Sequence, residues 1–312
     1  MSAWKRIAAS FLIAAGTVCR TASAAPGLGE EDDRIVPQNE IDALMQQVTI
    51  LRNVRYGDDD RQTMDIYLPR TARTDMPVIF MVHGGAWRFG DKSARSVVLN
   101  KAMRWVPRGF IFISVNYRML PEADPLRQAE DIAQALATAQ AKAAALGGDP
   151  GKVILMGHSA GAHLVDLLDA NPDLALKAGA RPWLGTVSLD SGALDVARIM
   201  NARHLRLYDR AFGSDPAFWH TVSPTQALTA SARPILLVCS TRRADSCPQA
   251  HAFSARASKL GVRAEVLGED LSHMEINTTL GEPGAYTEAV ERFMSGLDPA
   301  VKRALATVAA RQ

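Results

Sequence analysis

Four apolar residues, Val153 to Met156, run straight into Gly157-His158-Ser159-Ala160-Gly161, and a helix-forming run from His163 to Ala170 follows. No other stretch limits what this chain can fold into as much. A strand, a sharp turn and a helix in that order force the residue at the turn into a strained backbone conformation. Glycine two positions either side is then needed to avoid a clash. The Ser159 oxygen is held out above a sheet edge, with the N–H of Ala160 at the positive end of a helix. In a chain with 22 glycines the pentapeptide alone carries little meaning; the strand before it and the helix after it supply the context.

The rest of the chain can build the sheet that this turn requires. It has 312 residues, of which 47% are hydrophobic and 22% charged, enough for one large core. A net charge of +2 from scattered basic residues gives no case for a nucleic-acid partner. The N-terminus reads as a leader. Lys5 and Arg6 precede an apolar run from Ile7 to Val18, too short to span a bilayer, and Ala22-Ser23-Ala24 supplies small residues for cleavage. A secretory signal peptide over residues 1–24 is therefore expected, giving a periplasmic or secreted protein with no membrane span after its removal. Arg20, just past the run, is the residue that favours an anchor helix instead. Two cysteines then remain, Cys239 and Cys247, which can pair in an oxidising compartment or stay as buried thiols.

After an N-terminal segment (25–50), with a short amphipathic helix over Asn39 to Gln47, one domain is expected over 51–312. Val54 to Tyr56 and Met64 to Leu68 read as strands, the second alternating like a half-buried edge pair. Asp58-Asp59-Asp60 between them reads as a solvated turn. From Pro77 onward buried strands alternate with helices: strands at 78–82, 110–115, 153–156, 184–189, 235–239 and 263–267, helices at 93–107, 126–146, 248–260 and 286–295. That pattern is an α/β fold, a mostly parallel sheet covered by helices on both faces. Residues 193–230 interrupt it and are expected to form a small helical cap over the sheet edge.

A serine hydroxyl attacks a carbonyl only when a base takes its proton and an acid orients that base. Seven histidines are available. His273, in the loop after the last strand, is the expected base, because His158 and His163 lie too close to Ser159 in sequence to reach round to its oxygen. Asp245, the first carboxylate after the strand 235–239, is the expected acid. It could also cap the following helix. Asp190, at the end of the preceding strand, is its serious rival. His83-Gly84-Gly85-Ala86-Trp87 follows the strand 78–82, where glycines let backbone N–H groups approach a developing oxyanion. Gly85, Ala86 and Ala160 are the expected donors. Trp87, His158 and, from the cap, Trp219 are expected to contact substrate. No metal or cofactor is called for by this chemistry.

Met64-Asp-Ile-Tyr-Leu-Pro69, His83-Gly-Gly-Ala-Trp-Arg-Phe-Gly-Asp-Lys92, Asn116-Tyr-Arg-Met-Leu-Pro-Glu-Ala-Asp-Pro125 and Gly147 to Leu164 resemble the α/β-hydrolases. Within that fold they are similar to hormone-sensitive-lipase-like carboxylesterases and arylformamidases. The resemblance implies Ser159 as nucleophile, His273 as base, Asp245 as its partner, and a small-molecule ester as substrate. Ala86-Trp87 stands where the lipase-like group has a third glycine, a form closer to the arylformamidases. An exported carboxylesterase for small or medium acyl groups is the leading expectation. An arylformamidase is the alternative, and a non-catalytic binding protein on the same fold is the reading from another class.

Overall fold

The computed structural model describes residues 48–71 and 73–307, with Asn39 and Gln46 as isolated positions besides. The expected leader (1–24) lies outside the described residues, as does the helix expected at 39–47 apart from those two positions. The first strand begins at Val48, inside the stretch assigned to the N-terminal segment.

Eight strands form one sheet: β1 (Val48–Arg55), β2 (Thr63–Pro69), β3 (Met76–Val82), β4 (Ile111–Val115), β5 (Gly148–His158), β6 (Gly185–Leu189), β7 (Ile235–Ser240) and β8 (Ala264–Glu269). Their order across the sheet is β1-β2-β4-β3-β5-β6-β7-β8. β2 pairs antiparallel with both β1 and β4, and the remaining neighbours are parallel. Parallel pairing needs crossovers, and the helices that make them cover both faces.

Strand β3 shows how the core is divided. Val78, Phe80 and Val82 point into one apolar layer, with Ile113, Leu155, Leu164 and Leu168. Ile79 and Met81 point into the other, with Phe112, Ile154, Met156, Val187 and Leu189. Two-sided burial makes β3 a continuous apolar run rather than an alternating one. The same coverage corrects the reading of β2 as half-buried. Asp65 and Tyr67 are as buried as Met64 and Ile66. A carboxylate is tolerated there because Lys92 Nζ lies 3.1 Å from Asp65 and the Asn53 N–H donates to it at 2.8 Å.

The expected cap is four short helices: 196–200, 206–212, 216–221 and 224–227. Tyr208 and Phe212 from it pack against Trp87. A last helix, Pro299–Ala306, was not expected. Asp298 caps it, accepting from the Ala300 N–H at 2.6 Å, and its buried Val301 joins the layer containing Ile79. Among the described residues no helix is long and apolar enough to cross a membrane.

Candidate active site

Strand β5 ends at His158, and helix α1 of the site (Ala160–Ala170) begins two residues later. Ser159 between them has φ 54° and ψ −118°. That left-handed conformation costs a non-glycine residue on the order of 1–3 kcal/mol and has to be enforced by its surroundings. The surroundings are main chain on every side. A Cβ at Gly157 would sit 2.4 Å from the Gly161 carbonyl oxygen, and one at Gly161 would sit 2.3 Å from those of Val82 and His83. The Ser159 N–H donates to the Leu189 carbonyl at 3.0 Å, and its own carbonyl accepts from the Gly192 N–H at 2.8 Å. The turn is thus sewn to the end of β6.

His273 opens a short helix, His273–Thr278, whose start is fixed by a capping box between Ser272 and Glu275. Its Nε2 lies 2.9 Å from Ser159 Oγ, and its Nδ1 lies 2.5 Å from Asp190 Oδ2. A carboxylate that close to Nδ1 requires the ring proton on that nitrogen. Nε2 then carries the lone pair and accepts from the serine hydroxyl.

The carboxylate is Asp190 and not Asp245, which corrects the sequence-based assignment. Asp190 is buried and accepts four hydrogen bonds: from His273 Nδ1 and Arg243 Nη1 on Oδ2, and from the Ser240 N–H and the Ser246 hydroxyl on Oδ1. Asp245 is exposed and reaches only Arg243, at 3.5 Å. It occupies the N-cap position of the helix Ser246–Lys259, without accepting a capping bond. The physical reason is reach. The end of β6 is one ladder rung from the serine strand, so the residue leaving it falls beneath the imidazole. The loop after β7 instead turns outward to start its helix.

These contacts set the charges. Burial pushes the Asp190 carboxyl up, but the His273 hydrogen bond and the Arg243 charge outweigh it and hold it well below the usual range. Burial pushes the His273 imidazole below its ordinary value. Asp190 pulls the other way, while His158 and Arg243 add to the downward push. The ring is therefore neutral and able to accept a proton near neutral pH.

Ser159 and His273 share a pocket with Ala86, Trp87, Gly192, Leu207, Tyr208 and Arg243. Its cavity volume is about 20 Å³, space for roughly one water-sized group. The loop bringing Ala86 and Trp87 there has three successive positive φ angles, 111° at Gly85, 52° at Ala86 and 59° at Trp87. Trp87 pins it: its Nε1 donates to His163 Nδ1 at 3.1 Å, and its carbonyl accepts from Gln128 Nε2 at 2.8 Å. Burial holds His163 neutral, with a pKa lowered to about 4, as an acceptor at Nδ1 must be. Of the three expected oxyanion donors, Ala86 faces the pocket. Ala160 is the first helical residue, whose N–H has no intrahelical acceptor. Gly85 lies one step back, its carbonyl accepting from the N–H groups of Arg88 and Phe89.

Two of the expected substrate contacts are not at this pocket. His158 is fully buried; its ring stands 4.6 Å from that of His273, and its Nε2 donates to the His273 carbonyl at 2.9 Å. It therefore positions the base and cannot touch substrate. Trp219 is turned into the cap, with Nε1 donating to the Phe212 carbonyl at 3.1 Å. Sequence reasoning missed Arg243, which lines the pocket together with Tyr208 from the cap. A sulfur bridge, Cys239–Cys247, closes the loop that carries Arg243.

An eight-stranded, mostly parallel sheet with a strained serine at a strand–helix elbow, facing a histidine and an aspartate from later strand ends, defines the α/β-hydrolase fold, and this chain has it. The family model described as BD-FAE matches residues 64–176, somewhat more than a third of the chain. A probable isoprenylcysteine alpha-carbonyl methylesterase from Oryza sativa is 36% identical over 115 residues, which are 37% of this chain and 27% of that protein. Esterase LipC of Mycobacterium tuberculosis is 27% identical over 205 residues, 61% of this chain and 50% of that protein. The matched stretches thus span about a quarter to a half of these relatives. In structure the chain resembles esterase B from Lactobacillus rhamnosis, with a TM-score of 0.67 at 19% identity, covering 85% of this chain and 92% of that one.

Proposed function

We propose that the protein is an exported carboxylesterase-type serine hydrolase that works through an acyl-enzyme. The observation that carries this is His273, held at 2.9 Å from Ser159 Oγ on one side and 2.5 Å from Asp190 on the other. As Ser159 attacks the ester carbonyl, its proton passes to His273 Nε2, and Asp190 stabilises the imidazolium that forms. The carbonyl oxygen becomes an oxyanion, met by the N–H groups of Ala86 and Ala160, each such donor being worth on the order of 3 kcal/mol of barrier. The imidazolium then protonates the leaving alcohol. Water, deprotonated by the same nitrogen, releases the acid and regenerates the serine. The small cavity at Ser159 favours short acyl groups. Export is supported by the basic start, apolar run and small residues of positions 5–24, and by a sulfur bridge suited to an oxidising compartment.

A fluorophosphonate probe tests the chemistry directly. It should label the folded wild type and not Ser159→Ala. Asp190→Asn should lower kcat on a phenyl acetate by about 10⁴-fold, the usual cost of leaving the base in the wrong tautomer. Asp245→Asn should leave it nearly unchanged. A wild type that is folded but not labelled would favour a binding protein on this fold, and preferential turnover of a formyl anilide would favour an arylformamidase. Mass analysis of the exported chain should find its first residue at Ala25.

A further inference from the structure

Arg243 is an odd neighbour for a catalytic aspartate. Its Nη1 lies 2.8 Å from Asp190 Oδ2 and 3.1 Å from His273 Nδ1. The Nδ1 proton points at Asp190, so the second contact is a cation beside a ring that must become a cation itself. That placement works against the imidazolium and therefore against the first step of the reaction. It is tolerable if the guanidinium has another task in the pocket.

The geometry points to a substrate anion as that task. The Arg243 side chain is 13% exposed and lines the pocket that holds Ser159 and His273. Asp190 occupies only Nη1. Nη2 is left with Asp245 at 3.5 Å, a long contact to a carboxylate that is itself 55% exposed, and the uncharged Tyr208 hydroxyl is the guanidinium's other hydrogen-bond neighbour. Among the described residues no acceptor is bonded to Nε. A planar cation fixed on one side and loosely neutralised on the other is a ready fork for an incoming carboxylate. The exposed Asp245 is the counter-ion that such a group would displace.

The space is also there. Beyond Tyr208, which lines both, lies a second cavity of about 540 Å³ bounded by Arg198, Arg203, Asp245 and Pro248. The acyl group sits in the small cavity at the serine, and the leaving group extends toward the larger one past Arg243. We propose that the preferred substrates are short-acyl esters whose alcohol part carries a carboxylate, which Arg243 binds. This rests on the esterase reading above and deepens it.

The test compares 4-acetoxybenzoate and its 3-isomer with the corresponding acetoxybenzamides, pairs that share the acetyl group and differ by one charge. The wild type should favour the carboxylate member in kcat/KM by about tenfold or more, the usual scale for a charge-assisted hydrogen bond. Arg243→Gln should bring that ratio near one, whatever it does to turnover of the neutral ester. Asp245→Ala should raise the ratio further through a lower KM for the anion, and a ratio that falls in this variant counts against the inference. A ratio near one in the wild type for both isomers, or a preference that survives in folded Arg243→Gln, overturns the inference while benzamide turnover keeps the esterase reading standing. Absence of turnover of every ester overturns both.

Discussion

The Cys239–Cys247 bridge closes the loop Ser240–Ser246, and that loop supplies three of the four hydrogen bonds to Asp190: the Ser240 N–H, the Arg243 guanidinium and the Ser246 hydroxyl. Replacing both cysteines by alanine should therefore cost stability and catalysis together. For a sequence separation of eight residues, the loop-closure entropy released to the unfolded chain is worth about 2.5 kcal/mol at 25 °C. In a protein of this size that corresponds to a fall in Tm of about 4 °C. The catalytic effect comes from the loop loosening at both ends, where Ser240 and Ser246 sit next to the two sulfurs. Asp190 then holds His273 less firmly, and kcat on a phenyl acetate should fall by about tenfold well below the new Tm, by analogy with the loss of one oriented contact. The assays are calorimetry and initial rates at 25 °C, repeated on the wild type with and without reductant. An unchanged kcat in the double variant, measured while it is fully folded, would refute the claim that the bridge orders the acid's cradle.

Two further predictions follow from buried charge. Asp169 is enclosed, accepts from Thr186 Oγ1 at 2.6 Å, and has its pKa raised to about 8 by burial. An unfolded aspartate ionises near about 3.9, so folding is penalised increasingly as pH climbs from about 4 towards 8 and levels off above it. Asp169→Asn should match the wild-type Tm near pH 4 and exceed it at pH 8.5; equal values at both would show the carboxyl is ionised in the fold. Removing the Arg243 charge makes the His273 imidazolium easier to form, against the burial and the His158 ring that still oppose it. The acid limb of kcat/KM for Arg243→Gln should therefore move to higher pH, and a limb that stays put or moves down would contradict the charge assignment.

Much of this was legible in the residues themselves. The buried strands declared their positions because two-sided coverage leaves runs such as Val78 to Val82 with no polar residue to confuse the reading. Ser159 and His273 were found from the strand–turn–helix context and from the one loop able to bring a base over the serine. The acid was not, because choosing between Asp190 and Asp245 depends on which strand lies beside β5, and pairing order across a parallel sheet is not written in any local pattern. One signal did favour Asp190: it leaves its strand with no intervening residue, whereas Asp245 stands five positions beyond Ser240. His158 and Trp219 were misplaced because aromatic identity near a site says nothing of direction, which only packing decides. Arg243 was passed over because nothing in the sequence of its loop says which side chain turns inward to the carboxylate.

Carrying the acid on β6 has a consequence for how such a protein can change. Nucleophile and acid now sit on adjoining strands, and their spacing is inherited from a main-chain ladder running from Ile154–Gly185 to His158–Leu189, which side-chain substitution hardly disturbs. The segment after β7 is thereby relieved of delivering a carboxylate. Its inward residues Ser240, Arg243 and Ser246 still cradle that carboxylate, but its exposed ones, Ala244 and Asp245, can be recharged or exchanged to retune what the protein selects while the reactive geometry stays where the ladder puts it.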